Sequence, residues 1–267
     1  MRGYRVVAHN TATTSLNKIH DDEVARRYGF GGGLVPGVDV YAYMTRVPAE
    51  AWGVDWLARG SMRARFLTPV YDGDEVEVVP GEPVASPTGQ IVGLELRDSA
   101  GRTCAVGEAG LPDEPERLPD VAWPAAAPAV DPPAASPEAL RPGTALALAA
   151  HRFRADRAGD YLAEVREQLP LYAEAGVAHP GWLLRDANYV LSSNVVLGPW
   201  IHVESVTHHH AAVRDGDTVD ARATVIREWE RKGHRFVELD VGLFVGGDRL
   251  AARVTHTAIY RPRAEPA

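Results

Sequence analysis

Residues 17–44 read N-K-I-H-D-D-E-V-A-R-R-Y-G-F-G-G-G-L-V-P-G-V-D-V-Y-A-Y-M. Glycines at 29, 31, 32 and 33 free the backbone from side-chain sterics. Pro36-Gly37 then leads into Val38, Val40, Tyr41 and Met44, apolar positions that predict a buried helix from Gly37 to about Arg46. The first N–H groups of such a helix have no acceptor within it, so its tip turns donors toward whatever lies in front of Gly37. His20 is thereby a candidate acid/base, and Gly37 a candidate oxyanion site.

Working outward, the stretch has a counterpart at an offset of 144. Tyr28 matches Tyr172, Gly32 matches Gly176, Pro36-Gly37 matches Pro180-Gly181, Trp56 matches Trp200 and Ser61 matches Ser205. After a one-residue slip, Asp72-Gly73-Asp74 matches Asp215-Gly216-Asp217. The identities keep their order, which points to one domain present twice, over residues 1–110 and 145–262. Residues 111–144 between the copies are rich in Pro and Ala and predict an extended, semi-rigid linker.

Each copy reads as a strand, a short helix, a longer helix and then four strands. In the first, strands are expected near 4–8, 61–70, 75–79, 91–97 and 102–109, with helices over 22–27 and 37–46. In the second, strands fall near 145–153, 201–211, 218–228, 235–245 and 250–260, with helices over 156–167 and 181–191. Gly246-Gly247-Asp248 marks a hairpin. Strands joined by short turns make an antiparallel sheet, and one long apolar helix per copy can bury itself only against that sheet. The fold class is α+β.

The net charge of −8, without a Lys/Arg-rich run, argues against nucleic acid as the main partner. No apolar run reaches the roughly eighteen residues of a membrane span, and Met1–Thr14 lacks a signal-peptide core, so a cytoplasmic protein is expected. The single cysteine, Cys104, reads as a small buried residue. His208-His209-His210 lies in a predicted strand, where neighbours point to opposite faces, so no metal site is expected there.

Asn17, Ile19 and His20, the Tyr28-Gly29-Phe30-Gly31-Gly32 run and Val35-Pro36-Gly37 resemble the signature of MaoC-like (R)-specific enoyl-CoA hydratases and 3-hydroxyacyl dehydratases of the hotdog superfamily. That pattern runs D-x-N-P-(I/L)-H, then G-F-x-x-(I/P)-(V/A)-x-G; here Ser15 stands at the aspartate position and Lys18 at the proline position. The resemblance implies a tandem double hotdog, in which the two sheets join and their central helices lie together. It also implies an acyl-CoA or acyl-carrier-protein thioester as partner, no cofactor, and reversible hydration of a 2-enoyl thioester. A homodimer of double hotdogs is a further expectation. On this reading His20 moves the proton, Asn17 fixes the water or the ring, and N–H groups near Gly37 hold the thioester oxygen.

Because Ser15 cannot take up a proton near neutrality, Asp39 and Asp186 on the two predicted central helices are candidate replacements. Phe30 and Tyr41 are candidates for the acyl wall, and Arg63 and Arg65 for a CoA or pantetheine phosphate. The second copy sets Glu164 opposite His20, Tyr161 opposite Asn17 and Gly159 opposite Ser15, so at most one functional site per chain is expected. Two other functions remain open: a thioesterase using a helix carboxylate, and a catalytically silent acyl-binding protein.

Overall fold

The computed structural model describes residues 1–263. In chain order the elements are β1 (Tyr4–Val7), α1 (Asp22–Arg26), α2 (Gly37–Arg59), β2 (Ser61–Phe66), β3 (Glu75–Pro80), β4 (Val84–Ser86), β5 (Gly89–Asp98) and β6 (Thr103–Pro112). The second half comprises β7 (Ala145–Arg152), α3 (Ala155–Glu164), α4 (Leu171–Ala175), α5 (Pro180–Ser192), β8 (Ile201–His209), β9 (Thr218–Arg231), β10 (His234–Val245) and β11 (Arg249–Arg261). One antiparallel sheet runs β1-β3-β5-β6-β2-β8-β11-β10-β9-β7, with β4 attached to β5. Read from either edge, the two halves have the same order, which is the double hotdog architecture.

The join is the β2–β8 pair, in which Ser61 lies opposite His208 and Ala64 opposite Ser205. At the offset of 144 those two pairings exchange into each other, so an approximate twofold axis passes between the strands. The repeated Asp-Gly-Asp motifs do the same work in both halves. Gly73 and Gly216 take positive φ in the turns, while Asp74 and Asp217 accept from the backbone N–H of Tyr71 and Arg214 at 2.8 and 2.9 Å. Helices α2 and α5 pack on each other and on the concave sheet, burying Tyr41, Met44, Leu184 and Leu191 in one continuous core.

The central helix of the first half extends past Arg46 to Arg59. Pro48 is accommodated inside it and the helical path breaks only at Gly53, whose φ is +62°. Strand β6 continues two residues into the Pro/Ala-rich segment. That segment is held rather than loose at Trp123, whose indole N–H donates to the Asp240 carbonyl at 3.1 Å and whose ring packs edge-on against Phe244. Among the described residues no helix is long and apolar enough to cross a membrane.

Candidate active site

His20 closes a single 3-10 turn, Lys18–His20, capped by the Asn17 carboxamide. The turn is docked by main-chain bonds from Leu34 N–H to Ile19 O at 3.2 Å and by Asn10 Nδ2 donating to the His20 carbonyl at 3.0 Å. Gly33 lies so close that a Cβ there would overlap the His20 carbonyl oxygen, which is why the run before the helix must be glycine at this point. The imidazole Nδ1 lies 2.7 Å from the Leu34 carbonyl. A carbonyl can only accept, so the ring proton sits on Nδ1 and Nε2 carries the lone pair. Burial lowers the His20 pKa below its usual value, against the opposing pulls of the Leu34 carbonyl and the Asp39 carboxylate. The ring is therefore neutral at pH 7 and basic at Nε2.

Asn17 is fully engaged. Its Oδ1 accepts from the N–H groups of Ile19 at 3.3 Å and Trp200 at 3.1 Å, and its Nδ2 donates to the Trp200 carbonyl at 3.0 Å and toward His20 Nε2 at 3.3 Å. It thus ties the turn carrying His20 to the start of β8 in the other half. Of the two partners expected for Asn17, water and the ring, the contact seen is with the ring.

His20, Asn17, Phe30 and Gly37 line one crevice of about 230 Å³. Pro36 caps α2 with its carbonyl, which accepts from Asp39 N–H at 2.9 Å and Val40 N–H at 3.0 Å. Gly37 and Val38, ahead of those residues, have no acceptor within the helix. The helix tip thus faces the crevice with uncompensated donors and the positive end of its dipole. Among the described residues no carboxylate, lysine or arginine lines this crevice; its ionisable groups are His20 and His202.

The other expected residues lie elsewhere. Ser15 Oγ accepts from Asn17 N–H at 3.1 Å and braces the turn without reaching the crevice wall. Asp39 is 0% exposed and bound by Arg185 at 3.0 Å and Thr11 Oγ1 at 2.6 Å, so it is a buried link between α2 and α5 rather than a replacement for the missing aspartate. Asp186, 1% exposed, accepts from His151 Nε2 at 2.9 and 3.1 Å and joins α5 to β7, again away from the crevice. Tyr41 is core. Arg63 and Arg65 stand on the outer sheet face beside Glu204, at 2.6 and 4.0 Å, with side chains 56% and 52% exposed, and line no part of the crevice.

The equivalent cleft in the second half is closed. His179 stands where the first half has Val35, and its Nδ1 accepts from the Gly181 N–H at 3.0 Å, capping the very donor that is free at Gly37. The Tyr161 hydroxyl, in the place of Asn17, packs directly on Gly181.

Sequence reasoning missed two polar residues that the second half contributes to the first half's crevice, Asn188 from α5 and His202 from β8, whereas Trp200, which also lines it, was among the aromatics that could line an acyl tunnel. Asn188 Oδ1 has no partner within the described residues. The offset matches already set Trp200 opposite Trp56, but a lone His202 in a strand carries no local signal of facing a helix in the other copy.

No protein-family model matches the chain, and no curated protein matches it. Solved structures do. A MaoC-like dehydratase aligns at 12% identity over 97% of this chain and 97% of its own, with a TM-score of 0.61. A conserved hypothetical protein from Mycobacterium tuberculosis, described as having a double hotdog fold, aligns at 16% identity over 97% and 96%, also at 0.61. An acyl-ACP thioesterase from Bacteroides thetaiotaomicron aligns at 9% identity over 96% and 97%, at 0.50. At such identities the likeness speaks for the fold, a double hotdog.

Proposed function

We propose that this chain acts on an acyl thioester and adds water to, or removes it from, the 2-enoyl/3-hydroxyacyl pair in the crevice between its halves. The observation carrying this reading is the single basic imidazole nitrogen, His20 Nε2, in the same apolar crevice as the free N–H groups at the tip of α2. Its structural neighbours bear the names of a MaoC-like dehydratase and an acyl-ACP thioesterase, the first matching the reaction and the second the thioester.

With Ser15 in the aspartate's place, one base must serve both ends of the reaction. In the hydration direction His20 Nε2 takes a proton from water as the oxygen attacks the β-carbon. The electrons of the double bond move toward the thioester carbonyl, whose oxygen gains charge and is held by the Gly37 N–H. The imidazolium then returns its proton to the α-carbon as the carbonyl re-forms. Water and proton arrive on the same face, because one nitrogen handles both.

The thioesterase reading needs a group to activate water against the carbonyl carbon, and the helix carboxylates Asp39 and Asp186 are committed to other partners. Without a carboxylate in the crevice wall a thioesterase would also have to use His20, and the two readings then differ in which carbon the water attacks. A cytoplasmic setting suits a CoA- or carrier-protein-linked substrate.

A panel of short to medium enoyl-CoA substrates, followed by loss of enoyl absorbance beside a free-thiol assay, tests the proposal. Enoyl turnover without thiol release is the expected result. Thiol release alone would assign a thioesterase, and acyl-CoA binding with neither signal would leave a binding protein.

A further inference from the structure

The crevice between the halves has a rim and a floor. Leu67, 51% exposed, and the half-buried Phe30 and Ile259 stand at its open side. Val35, Val40 and Val70, at 5%, 4% and 2% exposed, close its inner end. The Val35 N–H donates to the Val70 carbonyl at 2.8 Å, and the Val40 N–H donates to the Pro36 carbonyl at 3.0 Å in the first turn of α2. The backbone behind all three valines is thus hydrogen-bonded in place.

Helix α2 gives the depth. Residues 37, 40, 41 and 44 share one face of it, yet only Gly37 and Val40 line the crevice, while Tyr41 and Met44 are fully buried in the core beyond. Val40 lies three residues on from Gly37, about 4.5 Å along the helix axis. An extended chain of single bonds advances about 1.2 Å per bond, as a polypeptide does over the three bonds of each residue. A thioester whose oxygen is held at the Gly37 N–H therefore meets Val40 after about four bonds, with room for about three to five carbons past the carbonyl carbon. The volume agrees, since about 230 Å³ falls below the roughly 300–1,000 Å³ of sites that take drug-sized ligands. Nothing in the wall answers a charge. Among the described residues its ionisable groups are His20 and His202, and burial lowers the pKa of both, so both are neutral at pH 7. A carboxylate at the far end of an acyl chain would lie against valines, losing its water and gaining no partner.

We propose that the crevice selects short, uncharged acyl chains of about four to six carbons, and that Val40 is the residue that sets the limit. This rests on the acyl-thioester reading of the crevice and deepens it. Each methylene added short of the floor exchanges water for apolar wall and tightens binding about fourfold. The first carbon past the floor meets a close-packed interior, so a longer chain fits only by lifting its carbonyl away from Gly37.

Calorimetry with saturated butyryl-, hexanoyl-, octanoyl- and decanoyl-CoA tests the limit without turnover. Hexanoyl-CoA should bind about tenfold tighter than butyryl-CoA, and the two longer chains no tighter than hexanoyl-CoA. Glutaryl-CoA, of similar length but ending in a carboxylate, should bind at least about 10²-fold more weakly than hexanoyl-CoA. Val40→Ala and Val40→Leu, each checked for folding by thermal melting, move the floor in opposite directions. The alanine variant should shift the tightest binding to octanoyl-CoA, and the leucine variant should bring the preference for hexanoyl- over butyryl-CoA from about tenfold to about onefold. Affinity that rises through decanoyl-CoA in the wild type, glutaryl-CoA bound as tightly as hexanoyl-CoA, or a chain-length preference unmoved in both Val40 variants overturns the assignment. The expected order in a protein that turns over no enoyl-CoA would uphold the limit and sink only the reaction proposed above. Failure of every acyl-CoA to bind overturns both.

Discussion

At the scale of the residue, the proposed chemistry rests on where one proton sits on His20. With Nδ1 donating to Leu34, the ring works as a base only while Nε2 is bare, and burial extends that condition below pH 6.5. The logarithm of kcat/KM should therefore be flat through neutrality and fall on an acid limb below about pH 6.5. An acid limb centred near pH 8 would implicate a different base. His20→Ala should lose about 10²-fold or more in turnover, with the melting temperature little changed; unaltered turnover would remove His20 from the mechanism. His20, Asn17 and Gly37 were legible in the sequence because all three lie in one local motif, where clustered glycines and a proline ahead of an apolar helix fix the backbone course by themselves. His202 and Asn188 were not, because only the pairing of β8 with β2 brings them to this crevice. Asp39 and Asp186 misled for the same reason, their partners Arg185 and His151 being far from them in the chain.

Among the elements, α5 is held to the edge strand β7 by His151 and Asp186. The carboxylate raises the His151 pKa, chiefly through their hydrogen bond, so the protonated form is favoured in the folded state. The resulting stability is complete below the unfolded value near 6.5 and is lost as pH rises through the higher folded value. His151→Ala leaves Asp186 buried without its partner and should cost about 1–3 kcal/mol, more at pH 6 than at pH 9, as read from urea unfolding. An equal cost at both pH values would show that packing against Trp182, rather than charge, is what His151 supplies. Most strands were readable from alternation and turn glycines, whereas the end of α2 was not. The sequence reading ended this helix near Arg46, yet burial of Trp56 and Leu57 on the same core carries the chain on past Pro48 and Gly53 to Arg59.

Over the whole molecule, the buried histidines link stability to acidity. Burial pushes His209 and His256 down to about 3, so the unfolded chain takes up protons that the folded one refuses. Stability is then full above the ordinary histidine value and falls as pH drops through the window from 6.5 to 3. The two residues together should contribute a slope of up to roughly 3 kcal/mol per pH unit. Urea midpoints measured from pH 7.5 to 4.5 check this, and a flat profile would contradict it. Arg185→Ala tests the tie between the halves: Asp39 would be left buried without its cation, at a cost of about 3–5 kcal/mol in the same assay. An unchanged midpoint would mean that the halves do not depend on this pair. The capped and plugged tip of α5 has a consequence for how such a chain can change over generations. Two identical subunits would have to carry every substitution twice, so neither mouth could be shut without shutting its twin. Covalent fusion lifts that constraint, leaving His179 and Tyr161 free to turn one mouth into filler while its sibling stays open.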